Sequence, residues 1–142
     1  MLKILIAVDG SEHADRAIVA VGNMARASLK LEATLLCVSP EPLFYGGYSA
    51  AIIQKIEAEQ VIQQNVILNL AMETAKAAGL QMGEPVRAYG VIANEIVRVA
   101  KDRQVDQIVM GTRGMGAMGN LFLGSVAQAV IHQSPVPVLM VK

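Results

Sequence analysis

With 142 residues, 54% of them hydrophobic and 17% charged, the chain is too apolar for disorder and long enough to bury the core of one domain, residues 1–142. Lys+Arg and Asp+Glu balance at 12 each, which removes the global basic field that nucleic acid binding needs. Three Tyr, two Phe and no Trp offer little for stacking on bases, and the single cysteine, Cys37, excludes an internal disulfide and fits a reducing cytosol.

The start of the chain, Met1-Leu2-Lys3-Ile4, lacks a secretory pattern. Residues 3–8 (KILIAV) are a branched apolar run that predicts a central parallel strand, buried on both faces. Asp9-Gly10-Ser11 ends it. Ser11 is placed to cap a helix over 12–27 with Ala14, Ala17, Ile18, Val21 and Ala25 as its inner stripe. Ala14 stands where the acidic partner of a capping box would be. Residues 32–38 (EATLLCV) predict the second strand, with Cys37 as an inert buried thiol, and Ser39-Pro40 stops it. Residues 44–48 (FYGGY) read as a loop packing its own rings, with a lid over a ligand as the alternative.

A long helix over 50–78 follows. Its expected inner stripe is Ile53, Ile56, Val61, Val66, Leu70 and Ala77, and Gly79 is its C′ residue. Residues 84–89 (EPVRAY) predict an edge strand, and 94–102 a third helix with Ile96, Val97 and Ala100 inward. Residues 105–110 predict the fourth strand, 125–133 the fourth helix and 136–141 (VPVLMV) the fifth strand. Residues 114–141 contain no Asp, Glu, Lys or Arg, but Asn120, Gln128, His132, two prolines and a change of period exclude a membrane span.

Regular alternation of strand and helix predicts an α/β fold: a five-stranded parallel sheet with helices on both faces. Right-handed crossovers lead to a doubly wound, Rossmann-like sheet of order 3-2-1-4-5. The switch point then falls between strands one and four, where such sheets bind ligands. The carboxyl end of strand one carries Asp9, and that of strand four carries a loop with Gly111, Gly114, Gly116, Gly119 and Gly124. Glycines let backbone N–H groups approach an anion, and the helix start at Gly124-Ser125 adds unsatisfied N–H groups with positive partial charge.

Two familiar glycine motifs fit poorly. Gly114-x-Gly116-x-x-Gly119 has the letters of a dinucleotide fingerprint, but it follows the fourth strand and no acid ends the next one. Gly119-x-x-x-x-Gly124-Ser125 is a P-loop without its lysine. A third spacing fits: Gly111, two residues, Gly114, nine residues, Gly124-Ser125. With the opening ILIAVDGSEHA, Val38-Ser39-Pro40, Gly90, the strand IVMGTRG, LGSVAQAVI and the closing PVPVLMVK, the whole chain resembles the universal stress protein family, in its ATP-binding subgroup.

The resemblance implies an ATP site, or a site for another adenine nucleotide. Ala7, Val8 and Asp9 would line the adenosine end, and Val38 would offer backbone hydrogen bonds to adenine. Asp9 and Gly111 would hold the ribose, Met110 would lie under the nucleoside, and Gly114, Gly124, Ser125 and Val126 would hold the phosphates. It also implies a cytoplasmic homodimer joined through the last strand, from Val136 to Val141, acting in stress regulation with protein partners the sequence does not identify. The residues agree on their own terms. Ionised Asp9 is an acceptor-only group suited to ribose hydroxyls, with an Asx turn as the alternative. Ser125 reads as a helix cap, a phosphate ligand, or both. Arg113 and Asn120 reach phosphates or stay solvated, and Met115 and Met118 are packing residues.

Catalytic machinery is sparse. His13 and His132 read as surface or cap histidines, no Ser–His–Asp set or zinc spacing can be assembled, and no base flanks the phosphate loop. A Mg²⁺ would arrive on the phosphates. The expected role is nucleotide-dependent regulation; the alternatives are a slow ATPase or phosphoryl or nucleotidyl transferase, and a scaffold with a vestigial pocket.

Overall fold

The computed structural model describes residues 1–27, 30–41, 45–114 and 123–142. Five strands, β1 (Leu2–Ala7), β2 (Leu31–Ser39), β3 (Val86–Tyr89), β4 (Gln107–Gly111) and β5 (Val138–Val141), form one sheet in the order β3-β2-β1-β4-β5. Every pairing is parallel, as the alternation of elements predicts. The helices are α1 (Glu12–Arg26), α2 (Ala50–Ala77), α3 (Ile92–Asp102) and α4 (Ser125–Gln133), with a 3-10 turn at Tyr45–Gly47.

Two apolar layers flank the sheet. On one face Ile4, Ile6 and Leu35 pack with Ile18 and Val21 of α1 and Leu68 and Ala71 of α2. On the other, Leu5, Leu36 and Ile108 pack with Ile96 and Val99 of α3 and Val130 of α4. Residues alternate between faces along each strand, and both faces are covered, so β1 is buried from Ile4 to Ile6. No helix among the described residues is long and apolar enough to cross a membrane.

Local chemistry sets the helix ends. The Ser11 hydroxyl accepts the Ala14 N–H at 3.2 Å, capping α1. Gly79, at φ +80°, ends α2 in a Schellman motif: its N–H reaches Lys76 O and the Leu80 N–H reaches Ala75 O, both at 3.0 Å. The same pair of bonds ends α3, from Gln104 to Lys101 and from Val105 to Ala100, with Gln104 at φ +51° where glycine would be unstrained. Strand and helix bounds otherwise shift by a few residues; α3 begins at Ile92, two residues before its expected start.

The inner stripe of α2 requires correction. Of the expected set, Ile53 and Ile56 are half-buried, but Val61, Val66, Leu70 and Ala77 are exposed. The buried residues are Gln64, Leu68, Ala71 and Ala75. The helix is apolar on more than one face, so periodicity does not decide which face packs; a polar residue lies at the centre of the one that does. Of the expected ring-packing loop, Tyr48 is exposed, while Phe44 lies outside the described residues.

Candidate functional site

Asp9 stands just past the end of β1. Its Oδ1 accepts the Ser11 N–H at 3.0 Å, so the Asx turn is formed, and Gly10 at φ +84° completes the reversal into α1. Its Oδ2 lies where a Cβ at position 114 would sit. The first loop and the glycine loop therefore meet side chain to backbone, and residue 114 must be glycine for Asp9 to hold this position.

Gly111 serves a different contact. A Cβ there would lie 2.5 Å from His13 Cβ and 2.9 Å from the His13 carbonyl carbon, so the end of β4 packs directly on the first turn of α1. Thr112, which the sequence reading passed over, is the junction behind it. Its N–H donates to Val141 O at 2.8 Å, its carbonyl accepts the Gly124 N–H at 2.7 Å, and its hydroxyl lies 3.4 Å from His13 Nδ1. It is buried, and it ties together β5, α4 and α1. A polar residue directly after the apolar run of Ile108, Val109 and Met110 and the strand-ending Gly111 was the available signal.

The N-cap of α4 is Gly124, not Ser125, which is the first helical residue. Gly124 makes no side-chain cap, and its own N–H is committed to Thr112, so it contributes space and not a donor. The first intrahelical bond is from Gln128 to Gly124 O. The N–H groups of Ser125, Val126 and Ala127 thus have no acceptor within the helix and carry its positive end.

Val38 is placed by strand register. Val8 N–H donates to Leu36 O at 2.8 Å, which fixes the Leu36 backbone toward β1. Val38, two residues on, points its N–H and carbonyl the same way. Pairing of β1 with β2 ends at Ala7 and Leu36, so that edge of Val38 faces the space beyond β1.

These parts surround one crevice of about 770 Å³, within the 300–1,000 Å³ range of small-molecule sites. All ten residues named from the sequence line it: Ala7 at the end of β1 with Val8 and Asp9 just beyond it, Val38 from β2, Met110 and Gly111 from β4, and Gly114, Gly124, Ser125 and Val126 from the loop and α4. The structure adds Gln63, Val66, Ile67 and Leu70 of α2 and Ile92 and Ile96 of α3, none of which has a sequence motif. Arg113 is half-buried in the lining. Cys37 lies in the floor, and burial first, with the Asp9 charge second, pushes its thiol up to about 11. Among the described residues no three His, Cys, Asp or Glu side chains gather to hold a metal. Met115, Gly116, Met118, Gly119 and Asn120 lie outside the described residues.

A doubly wound parallel sheet with an amide-rimmed crevice at its switch point defines a class of α/β ligand-binding domain. Over residues 1–142 the chain matches the model of the universal stress protein family, and it belongs to that family. It is 34% identical over 141 residues to a universal stress protein of Thermus aquaticus, covering 98% of this chain and 97% of that one. Among solved structures it resembles the hypothetical protein MJ0577 at TM-score 0.84 and 30% identity, covering 99% and 95% of the two chains. It also resembles a universal stress protein solved in complex with cAMP, at TM-score 0.69 and 25% identity, covering 99% and 96%.

Proposed function

We propose that this chain is a single-domain regulatory protein that binds an adenine nucleotide, ATP in particular, in the crevice between β1 and β4. The observation that carries the reading is the convergence of three parts: the Asp9 carboxylate, the Gly114 backbone pressed against it, and the N–H groups at the start of α4 that have no acceptor within the helix. The Val38 edge suits a base read through backbone, Asp9 a ribose, and the α4 amides a phosphate chain. The cAMP complex of a family relative supports the adenine moiety. Mg²⁺ would enter with the phosphates, since the described carboxylates form no cage for it. In a cytoplasmic setting the exposed edge of β5 would pair with that of a second copy, giving a homodimer whose nucleotide state other proteins read.

Calorimetric titration with ATP, ADP and AMP tests this. ATP binds the parent protein, and Gly114→Val abolishes binding. Unchanged ATP affinity in that variant removes the site. Light scattering at micromolar concentration should give twice 15.1 kDa; a purely monomeric species rejects the dimer. The second reading, a slow ATPase, draws on the approach of His13 to the Thr112 hydroxyl in the lining, and a single-turnover assay with labelled ATP separates the two.

A further inference from the structure

Gln64 is the one polar residue among the largest fully buried side chains of the described structure. It lies on the inner face of α2. Its amide nitrogen donates to Ala88 O at 3.0 Å and to Cys37 O at 3.4 Å. Its amide oxygen is buried with no hydrogen-bond partner among the described residues. An unpaired buried acceptor is unfavourable, and an apolar side chain of equal length would fill the same space without it. What the amide does, and such a chain does not, is tie α2 across the carboxyl ends of β2 and β3.

That tie lies behind the crevice wall. Cys37 directly precedes Val38, whose backbone edge faces the crevice, and Gln63 and Ile67 on the same helix line it. Gln64 does not line the crevice itself, so it acts through its neighbours. We infer that Gln64 is a positioning residue for base recognition. It holds the Val38 edge in register with the α2 wall, so that one purine is accepted and another is refused by unpaired backbone groups. This rests on the adenine-nucleotide reading above.

The test is calorimetric titration of the full chain with AMP, GMP and inorganic tripolyphosphate. The parent protein prefers AMP to GMP. In Gln64→Met that preference falls by about tenfold, the effect of losing one or two backbone hydrogen bonds to the base, while tripolyphosphate affinity stays unchanged. In Gln64→Glu, burial keeps the carboxyl neutral with one donor, and the preference is intermediate. If Gln64→Met retains the parent preference, or if all three ligands weaken together as in a generally loosened fold, the inference is overturned. If Gln64→Met does not fold, Gln64→Glu decides, and an unchanged preference there also overturns it. A parent protein that binds no AMP, or does not prefer it, fails at the nucleotide reading itself, which is a distinct result.

Discussion

Gly111 and Gly114 belong to one spacing signature, yet their surroundings predict opposite consequences for the same substitution. In Gly111→Ala the new Cβ meets the His13 Cβ at 2.5 Å and the His13 backbone at 2.9 Å. Backbone within a helix turn cannot step aside, so β4 and α1 must separate, an overpacking cost of about 1–3 kcal/mol. At about 2.1 cal/mol/K of unfolding entropy per residue, a chain of 142 residues loses roughly 3 °C in Tm per kcal/mol, so the expected drop is about 3–10 °C. In Gly114→Ala the new Cβ meets only the tip of the Asp9 side chain, which can rotate away. Tm should stay within about 2 °C. Nucleotide affinity should fall by about 10- to 150-fold, because a hydrogen bond to a charged group contributes about 1.5–3 kcal/mol. Thermal denaturation of both variants and ATP titration of Gly114→Ala measure these effects. A Gly111→Ala protein as stable as its parent, or a Gly114→Ala protein that binds ATP as well, refutes the reasoning.

The face of α2 can be tested with two leucines two residues apart. Leu68→Ala should cost about 2–5 kcal/mol, whereas Leu70→Ala, at a 60% exposed site, should stay within about 0.5 kcal/mol in urea denaturation. Gln104→Gly should raise the denaturation midpoint without changing the m-value, by up to about 1 kcal/mol, because glycine adopts the left-handed C′ conformation without a Cβ penalty. Cys37 should resist thiol reagents until the protein unfolds. Its pKa is raised to about 11 in the fold from an ordinary 9.0, so the native state holds the proton longer. That contribution to stability is complete below pH 9 and is lost as pH rises from 9 to 11, a slope that Cys37→Ala should reduce.

The chain order of strands and helices was readable because each element announces itself over short distances. The runs KILIAV and EATLLCV read as buried strands, Ser11 and Gly79 are boundary residues by their own chemistry, and regular alternation leaves a parallel sheet as its outcome. The Gly111, Gly114 and Gly124-Ser125 spacing, beside Asp9, likewise picks out residues of the crevice lining. Periodicity tells which residues can be buried, but not against what. For α2, with more than one apolar face, the sheet decided, placing Gln64 inside and Val66 and Leu70 on the crevice. The contact of His13 with Gly111 and Thr112 joins positions about a hundred residues apart, and the open edge of Val38 exists because β1 stops two residues short of it. Such relations depend on where strands end relative to one another, and only the folded chain sets that register.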